Sequence, residues 1–496
     1  MRDTDVIVIG AGNAALCAAL SAADQGARVV VLERAHEDER GGNSRFTAGA
    51  MRVVYNGLDD LLELMPDLTE EDRLNEFGQY TSDQFFDDMG RITDYRADPD
   101  LVETLVHGSY PALKWMHGKG VRFMPMYARQ AFKTDEGRFR FWGGLTVEAW
   151  GGGEGLVESL HKAVAKHNID VRYGARALSL LQDDNGIHGV RLKQLGITQD
   201  LRAGAVVIAA GGFQANTEMR TRYLGPGWDL AKVRGSRFNT GDGINMALEA
   251  GAMPFGNWSG CHSVGWDRNA PAFGDLAVGD GFQKHSYPFG IIVNANGERF
   301  VDEGADFRNY TYAKYGGEVL KQPGQFAWQI FDAKSESLLR DEYRIREITK
   351  VQSDTIEGLA DQLEGVDKAG FLKTVADYNA AVDQATPFDP TVKDGRATEG
   401  LALPKSNWAN PLDTPPFKAF AITCGITFTF GGLKVSPAGQ VIDTEGDVIR
   451  GLFAAGELVG GLFYGNYPGG SGLTSGAVFG RAAGTSAGHL ATGAGL

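Results

Sequence analysis

Four apolar residues, Val6–Ile9, run straight into Gly10-Ala11-Gly12-Asn13-Ala14-Ala15, and the next strand pattern, residues 28–32, ends on Glu33. No other stretch limits the fold so tightly. A strand, a tight glycine turn, an alanine-rich helix pattern over residues 14–23 and a second strand closed by an acid make a complete βαβ unit of the dinucleotide-binding kind. Gly10 permits the turn, Gly12 lets the backbone approach a pyrophosphate at the helix N-terminus, and Ala15 allows the helix to close on its strand. Glu33 is placed to accept hydrogen bonds from a ribose diol.

The rest of the chain repeats this grammar at both ends. Residues 155–166 read as a helix, residues 170–180 and 186–192 as a hairpin, and residues 205–209 as a buried strand leading into Gly211-Gly212. Residues 451–455 are again strand-like, and residues 472–490 form a helix of small residues. Between about 257 and 410 the texture changes to more aromatics and more Pro, with fewer buried-strand runs. The expected fold class is therefore α/β: a discontinuous Rossmann-like nucleotide-binding domain, residues 1–256 and 411–496, carrying an inserted α+β capping domain, residues 257–410.

Charge and cysteine content exclude several functions. The 63 acidic residues outnumber the 48 basic ones and leave a net charge of -15, opposite to what phosphate neutralisation on nucleic acid demands. The longest apolar runs, residues 6–9 and 205–210, are far shorter than the roughly 20 residues of a membrane span. Only five residues precede the first strand, too few for a secretory signal, so the expected compartment is the cytoplasm. Cys17, Cys261 and Cys424 are too scattered for a disulfide framework or a zinc site, and no metal is expected. His262 beside Cys261 has no further ligands at useful spacing.

A second small-residue loop, Gly41-Gly42-Asn43-Ser44-Arg45-Phe46-Thr47-Ala48-Gly49, follows soon after the ribose-binding acid. It stands where a flavin would continue beyond the pyrophosphate, and its small side chains leave room for a flat ring. Arg45 in this loop is a candidate substrate or flavin contact. Arg129, Lys133, Arg138 and Arg140 form a basic cluster, read as a solvated face, and His285 beside Tyr287 is a candidate pocket residue that reads more readily as a surface histidine.

With these loops the chain resembles the FAD-dependent fumarate reductase and succinate dehydrogenase flavoprotein superfamily nearly end to end. The likeness extends through Ala209-Ala210-Gly211-Gly212-Phe213, Asn239-Thr240-Gly241-Asp242-Gly243, Ala454-Ala455-Gly456-Glu457, and Gly472-Leu473-Thr474 opening the last helix. It implies FAD held by Gly10, Gly12, Asn13, Ala14, Glu33 and Arg34, then by Gly42, Asn43, Ser44, Thr47, Ala48 and Gly49. Ala175, Ala210, Gly211, Asp242, Gly472, Leu473 and Thr474 complete the set, with Glu457 on the ribitol. No histidine occupies residues 42–49, so the implied FAD is non-covalent.

Within that superfamily the chain is most similar to the FAD-dependent tricarballylate dehydrogenases, through residues 41–52, residues 299–315 and Asn466-Tyr467-Pro468-Gly469-Gly470. Fumarate reductases clamp a dicarboxylate with two histidines and an arginine, and a further arginine transfers the proton. Here His262 and Arg308 match, whereas the second histidine falls at Thr427 or Phe428 and the clamping arginine at Tyr467. Tyr467-Pro468-Gly469-Gly470 also resembles the C-terminal motif of 3-ketosteroid 1-dehydrogenases, in which a tyrosine hydroxyl and a backbone N–H polarise a ketone. The matching donors are Tyr467 and an amide at Ser471 or Gly472.

The activity implied is desaturation of the Cα–Cβ bond of a small carboxylated substrate, with a base taking the α proton and hydride passing to flavin N5. The base is Arg308 by one likeness, or Tyr287, Tyr310 or Tyr312 by the other. Two alternatives stand beside it. One is desaturation of a cyclic ketone or oxo-acid enolised by Tyr467; the other is a flavin-carrying subunit of an electron-transfer assembly. The chain carries no haem or iron–sulfur motif, so the electron acceptor is external.

Overall fold

The computed structural model describes residues 2–134, 136–142 and 144–493. Val6–Ile9, all valine and isoleucine and wholly buried, lies between two parallel neighbours, Val29–Leu32 and Ala205–Ile208. Asp170–Arg172 extends the sheet beyond Val29–Leu32, and Val448–Ala454 joins Ala205–Ile208 from near the far end of the chain. Gln440–Ile442 closes that edge antiparallel. Such unbroken apolar strands fit a parallel sheet covered on both faces. The helices Asn13–Asp24 and Ser471–Thr492 lie on one face; a three-stranded antiparallel sheet, Arg176–Asp183, Gly186–Gln194 and Ile197–Arg202, packs against the other.

The expected strand over residues 170–180 is in fact two. Gly174, at φ +61, turns the chain, so that Asp170–Arg172 pairs in the parallel sheet and only Arg176–Asp183 enters the hairpin. The left-handed backbone at Gly174 ends one strand and starts the other.

The two helices on the shared face touch through glycines. Gly476, Gly480, Gly484 and Gly488 recur every four residues and so share one side of Ser471–Thr492. A Cβ at Gly480 would stand 2.5 Å from the Ala14 carbonyl oxygen, and one at Gly484 would stand 2.2 Å from that of Ala18. Ser21 Oγ, which donates to the Arg481 carbonyl oxygen at 2.9 Å, closes the seam.

A second sheet stands over the first. Its two long strands, Pro254–Asp267 and Phe417–Leu433, run antiparallel and are extended by Ala327–Phe331, Ile291–Val293 and Lys350–Ser353. Lys232–Val233 joins parallel to Phe417–Leu433, so this sheet gathers segments from both sides of residues 257–410. Register shifts between Asn257 and Cys261 and between His262 and Ser263 leave Thr427 without a partner on Pro254–Asp267. Bulges of this kind re-aim side chains at sheet edges and sites. No helix among the described residues is long and apolar enough to cross a membrane, and none of their side chains cluster as a metal site.

Candidate active site

At the end of Val6–Ile9 the chain turns through Gly10 at φ +108, where a Cβ would meet the Ala209 carbonyl oxygen at 2.4 Å. The following N-cap, Gly12, has no side chain to offer its helix, so the first-turn N–H groups receive no cap from it. Asn13 N–H donates to Ser44 Oγ at 3.1 Å and Asn13 Nδ2 to the Leu473 carbonyl at 2.8 Å, which ties both glycine loops and the last helix to one point.

A groove of about 910 Å³ runs over this turn. Gly10, Gly12, Asn13, Ala14, Glu33, Arg34, Gly42, Asn43, Ser44, Ala175, Ala210, Gly211, Asp242 and Glu457 line it. Glu33 is buried, accepts the Ala35 N–H at 2.8 Å, and has its carboxyl pushed up by burial, so a donor from a ribose would stabilise it. Arg34 is held by Thr240 Oγ1 (2.6 Å) and Asp242 Oδ2 (3.2 Å). An uncapped helix start, a glycine-lined approach and a buried acid one strand away suit a dinucleotide.

A second cavity of about 1130 Å³ shares Asn13, Ala14, Asn43, Ser44, Gly456 and Glu457 with the groove, so the two are one channel. Thr47, Ala48, Gly472 and Leu473 line this part. Gly49 does not, because it packs on the Gly152 backbone, and neither does Thr474, whose hydroxyl donates to the Arg52 carbonyl at 2.8 Å.

The second cavity is basic. Arg129, Arg234 and Arg308 line it together with His262 and His285, and Glu457 is its one carboxyl-bearing wall residue among those described. Asp280 serves two of the arginines: Arg234 Nη2 meets its Oδ1 at 2.7 Å and Arg129 Nη1 its Oδ2 at 2.7 Å. Arg308 makes no ion pair among the described residues; its Nη2 donates to the Arg129 carbonyl at 2.9 Å, its guanidinium lies 5.4 Å above the Tyr312 ring, and burial lowers its pKa. His262 stacks on Phe428 (5.2 Å, 13°), and neither ring nitrogen has a hydrogen-bond partner among the described residues. Burial, then Arg234, keeps it uncharged, and burial with Arg308 does the same for His285.

Tyr467 and Tyr312 close the far wall, edge on with ring centroids 6.2 Å apart. The Tyr467 oxygen accepts the N–H groups of Gly470 at 2.8 Å and Gly472 at 3.4 Å, while Ser471 N–H donates to the Pro468 carbonyl at 3.2 Å. Both amides considered as separate substrate donors are thus turned onto the loop itself. Of the three candidate tyrosines only Tyr312 reaches the cavity wall: Tyr287 is bonded to Thr311 Oγ1 at 2.6 Å and the Tyr310 hydroxyl donates to Asp88 at 2.6 Å. Burial and Tyr467 push the Tyr312 hydroxyl well above its usual range.

Residues 5–473 match the FAD binding domain family. The chain belongs to that family. This FAD binding protein is 31% identical to a probable fumarate reductase, Ifc3, of Shewanella frigidimarina, over 98% of its own length and 74% of that protein's. It is 26% identical to a 4-oxocyclohexanecarboxylate 2-dehydrogenase of Sinomonas cyclohexanicum, over 98% of its length and 94% of that protein's. Among solved structures, the open conformation of a flavocytochrome c3 fumarate reductase superposes with a TM-score of 0.74 at 27% identity, covering 98% of this chain and 78% of that one.

Three further sequence expectations change in this chain. Arg45 is off the channel, paired with Glu154 at 2.9 Å and the Asp38 carbonyl at 2.9 Å. His285 is a wall residue and 2% exposed, because its segment packs against the second sheet, where Lys284 N–H donates to the Gly265 carbonyl at 3.0 Å. Arg129 leaves the solvated face: the Asp280 pair draws it inward, while Lys133 and Arg138 remain exposed. Arg234 was not singled out at all; its N–H donates to the Ile426 carbonyl at 2.8 Å, and that long-range pairing aims it.

Proposed function

We propose that this protein is an FAD-dependent oxidoreductase acting on the Cα–Cβ bond of a small polycarboxylate, as a dehydrogenase of the tricarballylate type. The observation that carries this is the basic wall: three arginines face one cavity, and two of them, Arg129 and Arg234, share a single buried aspartate, Asp280. An anion recovers there what burial of those charges costs. FAD, held along the glycine-lined groove, supplies hydride acceptance when bound.

Arg129 and Arg234, fixed by Asp280, offer planar donors to a substrate carboxylate. Neutral His262 adds a donor and excludes charge from the aromatic end. Arg308, with its lowered pKa and no ion-pair partner among the described residues, moves the proton at the substrate Cα. The second sheet acts as the cap that keeps water out, with residues 257–410 as its body. FAD is non-covalent and is released on denaturation.

A second reading is favoured by Tyr467. Two N–H groups on its oxygen strengthen it as a donor toward a ketone, so an oxo-acid would set its carboxylate on the arginines and its ketone on Tyr467. Anaerobic reduction of the purified flavoprotein separates the two, with tricarballylate, succinate, 4-oxocyclohexanecarboxylate and a 3-oxosteroid offered in turn. Bleaching by tricarballylate supports the first reading, and bleaching by the oxo-acid alone supports the second. Bleaching by the uncharged steroid alone overturns both. Turnover with an artificial dye, without any partner protein, argues against a mere electron-transfer subunit.

A further inference from the structure

Arg52 lies behind the site, 0% exposed, and lines neither part of the channel. Its Nε donates to the Gly469 carbonyl oxygen at 2.9 Å. That carbonyl and the Gly470 N–H belong to one peptide group, and the N–H is the closer of the two donors on the Tyr467 oxygen, at 2.8 Å. A cation on the carbonyl draws electron density through the planar amide and makes its N–H a stronger donor.

We propose that Arg52 is a positioning residue for the reaction, holding and polarising the peptide between Gly469 and Gly470 so that it activates the Tyr467 hydroxyl. The inference rests on the reading in which Tyr467 donates to the substrate. The backbone clamps the same unit a second time: Arg52 N–H donates to the Gly470 carbonyl at 3.2 Å, and Thr474 Oγ1 donates to the Arg52 carbonyl at 2.8 Å. Gly470 itself sits at φ +83, where a Cβ would meet Leu145 Cδ1 at 2.2 Å, so this turn requires glycine.

The far end of the guanidinium is fixed as firmly. Arg52 Nη1 donates to the Tyr80 hydroxyl at 2.7 Å and to Asp88 Oδ2 at 3.1 Å, and Tyr80 and Tyr310 donate to that same carboxylate oxygen at 2.7 and 2.6 Å. The rings of Tyr80 and Tyr310 lie 5.2 Å from its centre. A buried arginine is costly unless its charge is matched. Here one edge meets a carboxylate and another is directed at a peptide that serves the site. The same loop also fixes Arg308: Gly469 N–H donates to the carbonyl of the adjoining Asn309 at 2.8 Å.

The test places 3-fluorotyrosine at position 467 of the holoprotein and compares its fluorine chemical shift, at one fixed pH, in the parent and in Arg52→Lys. Lysine keeps the charge but, having one nitrogen, cannot serve Gly469 and Asp88 together. The fluorine resonance moves when the peptide loses its polarising partner, because the Gly470 N–H on the neighbouring hydroxyl oxygen weakens. Turnover falls by about tenfold in Arg52→Lys with KM nearly constant, and Tyr467→Phe absorbs most of that loss, leaving a further effect below about twofold. A fluorine resonance unmoved by Arg52→Lys, or full additivity of the two losses, overturns the inference. If Arg52→Lys does not retain flavin, Asp88→Asn, which alters only the far anchor of the guanidinium, moves the same resonance; no change there is also decisive against it. Full activity in Tyr467→Phe refutes instead the reading of Tyr467 as donor, whatever the fluorine resonance gives.

Discussion

Glu457 joins the two halves of the channel, and its carboxyl is pushed up to about 7 by burial, although Thr429 N–H (3.0 Å) and Gln214 Nε2 (3.2 Å) donate to it. Its folded pKa lies above the unfolded value, so its contribution favours the fold at low pH and is lost as pH rises from about 4.5 through about 7. Thermal melting of the flavin-free protein at pH 5 and pH 8 (about 1 to 2 units either side of that pKa) tests this. The parent melts lower at the higher pH, and Glu457→Gln removes much of the difference, since the Gln214 Oε1, buried with no partner among the described residues, can turn to accept the new amide. An unchanged pH dependence in Glu457→Gln contradicts the assignment. Residues of this kind differ in how visible they are in the chain. Gly10 and Glu33 were legible because a local turn dictates them, whereas Arg234 was not, because a distant strand pairing aims its side chain.

At the level of elements, the seam between Asn13–Asp24 and Ser471–Thr492 makes one substitution act with opposite signs. Gly484→Ala forces a Cβ to within 2.2 Å of the Ala18 carbonyl oxygen and costs about 1–3 kcal/mol. Gly118→Ala, at the end of the helix Pro99–Gly118 with nothing within 4 Å of the new Cβ, is neutral or stabilises by up to about 1 kcal/mol. Urea unfolding of the two variants measures both; equal effects would mean that the glycines do not set the helix spacing. The small residues of the last helix were plain in the sequence, but its partner was not, since these helices lie more than 400 residues apart in the chain. Likewise, Gly174 reads as one glycine among 68, yet it splits the strand expected over residues 170–180.

Across the whole molecule, a net charge of -15 encloses a basic cavity. Composition averages over the surface and so concealed the one place where arginines gather; the topology brings Arg129, Arg234 and Arg308 together from three separate segments. The parallel sheet was readable from its βαβ start, because apolar strands and glycine turns are local patterns. The second sheet was less so, its longest strand lying beyond the texture change. All three cysteines are buried, and burial pushes the Cys17 and Cys424 thiols up to about 12. Thiol reagents therefore label the native holoprotein slowly and the unfolded chain at all three positions; fast labelling of the native form would show that the core opens readily.

The claim that carboxylates on the arginine wall present the reacting bond is tested most directly by anaerobic single-turnover bleaching of the bound flavin with tricarballylate and with its trimethyl ester. The acid bleaches the flavin and the ester, lacking charge, is slower by about a hundredfold or more. Equal rates for the two would contradict the account.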